Sequence, residues 1–323
     1  MIWLTWRQFR AQSIAAAAAL TATAIVLGLA GVHLAHLYTA AGVANCHAGG
    51  CGTATAHFVS LLNAGFANHL PLVFGTALIV VPAVIGMFWG APLIARELET
   101  GTSHLVWNQS VSRTRWLATK LVLVGLASMA AAGLFSLLVT WSASRIDQVN
   151  LNWLQPSVFS ERGIAPVGYA AFAFVLAVLA GVLIRRTVPA MAVTLAVFTA
   201  VQFGMRLLRG YLIAPLHLIV SLSGPHGAPV PVQGGGSMSV DPTAVGIPGA
   251  WIYSAQVVDA AGHVVQLTPQ SAAVLPRHGL RELVAYQPAS RFWLFQGYET
   301  AIYLALAVGL AAACVWCIRR RLA

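Results

Sequence analysis

Charge is scarce in this chain, and that scarcity decides its class. Only 8% of its 323 residues are Asp, Glu, Lys or Arg, against 59% hydrophobic, and the mean hydropathy is +0.78. Soluble domains average about 25% charged and about 45–50% apolar residues. A water-soluble fold of this size has no means of covering itself with so few charges, so the chain is an integral membrane protein. Lysine is scarcer still: Lys120 is the only one, and no glycine-rich loop precedes it. Phosphate cradling by a G-x-x-x-x-G-K-[ST] loop is thereby excluded. The sequence also lacks a G-x-S-x-G elbow, an H-E-x-x-H helix and paired carboxylates in its apolar runs. No catalytic residue is assigned, and the chain is not expected to be an enzyme by itself or to bind a cofactor of its own. The near absence of acids from the apolar runs also argues against a proton-coupled carrier.

What the chain has is long apolar runs. Crossing a hydrocarbon core takes about 20 helical residues, and six segments qualify: 14–34, 72–94, 121–141, 167–184, 189–208 and 297–318. Their Ala/Leu/Val composition with scattered Gly suits helices better than the ~10-residue alternating strands of a barrel. The first run is longer than the ~7–15-residue core of a signal peptide and lacks a convincing cleavage site, so it is expected to stay. Basic residues set the orientation. Arg7 and Arg10 precede the first run; Arg96, Arg113, Arg115 and Lys120 lie between the second and third; Arg185 and Arg186 follow the fourth; residues 319–321 close the chain. Residues 35–71 contain no Lys or Arg. Both termini are therefore expected in the cytoplasm. The fold class is an all-α polytopic membrane protein with six transmembrane helices. The net charge of +10 fits anionic lipid head groups better than nucleic acid, which is not expected as a partner.

Four regions follow. Residues 1–12, MIWLTWRQFRAQ, place Trp3, Trp6 and Arg10 at helical spacing and predict an interfacial amphipathic helix, with an aromatic-belt start to the first span as the alternative. Residues 13–208 hold five spans and the connection 95–120. Residues 209–295 are expected to form a small extracytoplasmic domain of mixed or β structure. Within it, 221–248 is rich in Gly and Pro, WIYSAQVVDAAGHVVQL gives two β-prone runs joined by Asp-Ala-Ala-Gly, and 280–285 adds a short element. Residues 296–323 supply the sixth span and a basic tail. In the first outer loop, Cys46 and Cys51 stand as CHAGGC, which favours a disulfide in an oxidising compartment. A metal site with the nearby histidines and free thiols remain the alternatives; lacking a paired-ligand pattern, no metal residues are assigned. Cys314 and Cys317 form C-x-x-C inside the last run, where packing is the expected role. Glu299, one turn into that run, is either a translocation or gating residue or an interfacial carboxylate capped by water or paired with Arg291.

The connection 95–120, ARELETGTSHLVWNQSVSRTRWLATK, concentrates charge between two apolar runs. Thr100-Gly101-Thr102 breaks the backbone, residues 103–110 allow one or two helical turns, and Ser112 or Thr114 is placed to cap the next helix. A short surface helix that docks a soluble partner is one reading; an ordinary interfacial loop is the other. This segment, the opening MIWLTWRQFRAQ, the closing YQPASRFWLFQGYETAIYL and the WCIRRR tail resemble the type-2 ABC transporter permeases of high-GC Gram-positive bacteria.

That resemblance implies a permease subunit of an ATP-driven exporter in the bacterial plasma membrane. It implies pairing with a second copy of the chain and with two separate ATPase chains that carry ATP and Mg. It further implies that residues 95–111 form the coupling helix, with Arg96, Glu97, Glu99, Thr102, His104 and Trp107 as ATPase-coupling residues. The second and fifth helices would line the path of an amphipathic substrate, such as a drug, antibiotic, peptide or lipid. The alternative is an ATPase-coupled membrane sensor, or a resistance or assembly factor, without substrate flux.

Overall fold

The computed structural model describes residues 2–46, 51–99, 113–150, 154, 156–221, 229–231, 238–240, 249–259, 261–264 and 281–321. Among these, six helices are long and apolar enough to cross a membrane. The first runs unbroken over Ile2–Ala40. No Gly or Pro interrupts it before Gly28, so residues 2–12 share one helix with the first apolar run. The second span is composite: helix Leu70–Ile85, a π-helical turn Gly86–Gly90, and helix Ala91–Glu99. The third covers Arg113–Ser142, the fourth Ala165–Ile184, the fifth Thr187–Arg209 and the sixth Phe292–Arg321. Helix Gly52–Asn63 lies between the first two spans. Just before it, Cys46 and Cys51 form the expected disulfide, with Cα atoms 5.6 Å apart.

The chain divides into two units: residues 1–149, 156–207 and 296–323, and residues 150–155 with 208–295. In the first unit the fourth span is the packing centre. Fifteen of its twenty residues are buried, whereas the other spans keep broad apolar faces exposed, as lipid contact requires. Its sequence, APVGYAAFAFVLAVLAGVLI, explains this position. In lipid no hydrophobic force gathers helices, so close backbone approach through small residues does much of the work. An ideal Cβ on Gly86 would lie 2.7 Å from the Ala173 carbonyl oxygen, and one on Gly90 2.6 Å from that of Phe174. Gly181 reciprocates, its Cβ position lying 3.0 Å from the Ala91 oxygen. The second and fourth spans thus touch backbone to backbone along the π-turn. That turn shifts the hydrogen-bond ladder, and Gln12 of the first span donates to the Phe88 carbonyl at 3.0 Å. Phe9, on the same helix, meets Trp89 edge to face at 4.9 Å.

Cys314 and Cys317 are free thiols buried with Phe9, Trp116, Phe174 and Ile318, consistent with packing. The fourth span ends at Arg185, whose φ of 59° is left-handed, and the chain reverses within two residues into the fifth.

The second unit carries a small antiparallel sheet of order β1-β5-β4: β1 is Leu216–Ser221, β4 Trp251–Val258 and β5 Arg281–Gln287. The pair β2 (Pro229–Pro231) and β3 (Met238–Val240) forms a separate ribbon. The expected turn after β4 is present. The Asp259 carboxylate accepts from the backbone N–H of Ala261 and His263, and Gly262 takes φ 89°. The His263 backbone bond first, then the contact with the His263 ring and the Ala261 bond, hold the carboxyl of Asp259 below its ordinary range. Val264 bridges back to Val258, and the element expected at 280–285 is β5. Gln287 anchors the sheet by donating to the Ile213 carbonyl at 2.8 Å.

The glycine contacts give a direct test. Gly90→Ala should lower the thermal midpoint of the purified protein by an amount equivalent to about 1–3 kcal/mol, because its methyl meets backbone. Gly28→Ala, with nothing within 4 Å of its Cβ position, should cause no loss.

Candidate functional site

Of the six residues assigned to the connection 95–120, three are described. Thr102, His104 and Trp107, like the helical turns expected over 103–110, lie outside the described residues. The two roots of the segment are clear. At the end of the second span, Arg96 is exposed and Glu97 turns inward. The Glu97 carboxylate meets the Lys120 ammonium of the third span at 2.6 Å, with side-chain exposures of 14% and 2%. Lys120 also sits 4.6 Å above the Trp116 ring and 3.5 Å from the Leu93 carbonyl. A charge this deep survives because its partner, a ring face and a carbonyl replace water. Deleting one member leaves the other buried and uncompensated, a loss of about 3–5 kcal/mol. Glu97 and Lys120 stand 23 positions apart, so spacing offered no signal. A lone lysine at the start of an apolar run was the available clue.

Glu99 faces another way. Its carboxylate accepts from both the hydroxyl and the backbone N–H of Thr187, at 2.8 and 3.2 Å, at the first residue of the fifth span. The Thr187 hydroxyl, then its N–H, hold the Glu99 carboxyl below its ordinary range, with the Arg186 charge adding to them.

At the other end of the bundle Glu299 is fully buried and accepts a hydrogen bond from the Tyr169 hydroxyl of the fourth span. Tyr303, one turn on, packs edge to face on Tyr169 and donates to Gln202 of the fifth span at 2.7 Å. Glu299 therefore belongs to a polar layer joining the fourth, fifth and sixth spans. The partners of Arg291 are Gln287 and the Ala214 carbonyl. Gln296, one turn before Glu299, accepts from the N–H groups of Ile164 and Ala165 and donates to the Phe159 carbonyl. It thus caps the fourth span from a different helix.

Glu161, between the third and fourth spans, is a strongly perturbed carboxyl outside the spans. It is 4% exposed and its Oε2 lies 2.4 Å from where a Gly75 Cβ would stand, so the glycine lets it pack closely against the second span. Burial pushes its pKa up to about 7; Arg162, a Thr76 hydrogen bond and Arg206 pull down, and Asp147 pushes up. Asp147, paired with Arg162 at 2.6 Å, is also raised, burial outweighing the arginine. Beside the π-turn, the first, second and third spans flank a half-open apolar cavity of about 380 Å³, walled by Ala16, Ala19, Val81, Phe88, Trp89 and Phe135.

Six hydrocarbon-length helices, a central span walled by its neighbours and ion pairs gathered at the helix ends define a multi-pass membrane protein. Residues 17–209, the first five spans, match the family model described as ABC-2 membrane transporter related, and the chain belongs to that family. It is accordingly a multi-pass protein of the plasma membrane and a membrane subunit of a transporter, of a type that generally pairs with an ATPase subunit. No curated protein and no solved structure matches the chain.

Glu161 makes the stability pH-dependent with a definite sign. Its folded pKa of about 7 stands above the ordinary 4.5, so the folded state holds the extra proton between those values. Its contribution is complete below pH 4.5 and is lost as the pH rises through 7. The thermal midpoint should fall from pH 5 to pH 8, Asp147 acting in the same direction, and Glu161→Gln should make that slope shallower. An identical slope in the variant contradicts the assignment.

Proposed function

We propose that this chain is the membrane-spanning permease of an ATP-driven exporter, working as a pair of copies with two partner ATPase chains. Bending of the connection 95–120 by the partner drives alternating access. The observation that carries this reading is the Glu97–Lys120 pair. It clamps together the two roots of the segment, the end of the second span and the start of the third. A partner that pushes on residues 100–112 therefore moves two helices as one body, because separating the roots exposes two buried charges. The run of Arg and Lys at this end supports a cytoplasmic position for the segment, where ATP is available. ATP and Mg bind in the partner; this chain contributes the lever.

The cargo is amphipathic. The cavity beside the π-turn is lined almost wholly by Ala, Val, Leu, Ile and aromatic side chains, with Gln12 and Thr23 as its polar members. Its volume is at the lower end of the ~300–1,000 Å³ common for small-molecule sites. Such walls reward hydrocarbon and offer no partner for a strongly charged solute. Glu299, in its polar layer, is assigned the gating role. It joins the fourth and sixth spans, and its displacement would break a hydrogen bond that hydrocarbon gives no means to replace.

Vesicles carrying the permease with its copurified ATPase test the reading, with an amphipathic fluorescent dye as the probe. ATP-dependent accumulation of the dye is expected. Replacing the clamp with Glu97→Gln and Lys120→Met together, which leaves no buried charge, should lower the dye moved per ATP by about fivefold or more. Dye-stimulated hydrolysis without flux would make the protein a sensor, and failure of any ATPase to copurify would overturn the proposal.

A further inference from the structure

The first N–H groups of a helix need acceptors from outside the helix; the Arg186 carbonyl takes the N–H of Ala190, but no side chain just before the fifth span is able to accept that of Thr187. The residues there are Arg185, in the left-handed region, and Arg186, and a guanidinium has no acceptor. The acceptor comes from 88 positions away: Glu99 takes both the N–H and the hydroxyl of Thr187. An acid at this place is also favoured by the positive end of the helix dipole. The neighbouring packing points the same way. Ala91 of the second span, Ala177 and Ala180 of the fourth and Ala190 of the fifth form one buried cluster. The Gly181 Cβ position lies 3.4 Å from both the Ala95 nitrogen and its Cβ. The last helix of the second span is thus seated on the turn between the fourth and fifth. Residue 99 is also the last before the 100–112 segment.

From this geometry we infer that Glu99 and Thr187 form a strap that delivers displacement of the 95–120 segment directly to the fifth span. Thr187 is its positioning residue. The inference rests on the proposal that this segment receives a partner's stroke, and it adds a second output to it. Glu97 passes the motion to the third span through Lys120, and Glu99 passes it to the fifth, 88 residues away in sequence. Glu99 is exposed, so the strap is able to open and reform in water, whereas the buried Glu97–Lys120 pair holds.

Spin labels on exposed positions test it in nanodiscs holding the permease with its copurified ATPase. Val84→Cys marks the second span, Val193→Cys the fifth and Val308→Cys the sixth, on a background with Cys314 and Cys317 replaced by Ala. Without nucleotide, the 84–193 distance should be narrow; Thr187→Val should broaden it and Thr187→Ser should restore it. An 84–193 distribution in Thr187→Val that matches the parent overturns the strap, whatever nucleotide does. Trapping with ATP and vanadate should shift the 193–308 distance in the parent and in Thr187→Ser but not in Thr187→Val, whose thermal midpoint is measured alongside. If Thr187→Val retains the full shift, the strap is refuted while the exporter reading stands. If the parent shows no shift, the stroke itself is refuted and the inference falls with it.

Discussion

Hydrocarbon supplies no water to an unpaired polar group, and this constraint organises the molecule. Buried hydroxyls such as Ser128 and Thr194 donate to a carbonyl one turn back in their own helix, but the larger buried polar side chains find their partners on another helix, and those partnerships hold the helices in register. Glu299 finds Tyr169, Tyr303 finds Gln202, Gln296 takes the free N–H groups of the fourth span, and Lys120 finds Glu97. Even the π-turn follows the rule, with its Phe88 carbonyl met by Gln12 of the first span. Apolar packing alone would let the helices slide, since lipid tails are as good a neighbour as leucine. The few polar contacts therefore carry information out of proportion to their number.

The same constraint sorts the polar groups by depth. Within the helices the Tyr303–Gln202 contact joins two uncharged groups. At the ends the polar groups are ionic and clustered: Glu97 with Lys120 at one, Asp147 and Glu161 with Arg162 at the other.

The apolar runs were legible in the sequence because length and hydropathy are local properties. Each of the six segments read from composition lies inside an observed span, although the first, third and sixth helices begin five to twelve residues earlier, and the Cys46–Cys51 pair closes across five positions. The turn after β4 was legible for the same reason, since Asp259 and Gly262 act within one turn. What stayed hidden is long-range. Glu99 and Thr187 are 88 residues apart and Tyr169 and Glu299 130 apart, and only packing brings them together. Nothing local in the sequence announces that Glu161 packs against Gly75. The π-turn was invisible as well: GMFWG has no unusual composition, and its wide turn comes from its fit to the fourth span. The continuity of residues 2–12 with the first span reflects an absence of breakers, which an amphipathic pattern does not reveal.

The account stands or falls on what touches the end of the second span. A photo-reactive amino acid placed at exposed Arg96 in cells, followed by mass analysis of the adduct, reads this directly. The account predicts a covalent adduct with an ATPase chain, lost when residues 100–112 are replaced by a flexible linker of equal length. Adducts confined to lipid, or to a protein without an ATP-binding fold, would contradict it.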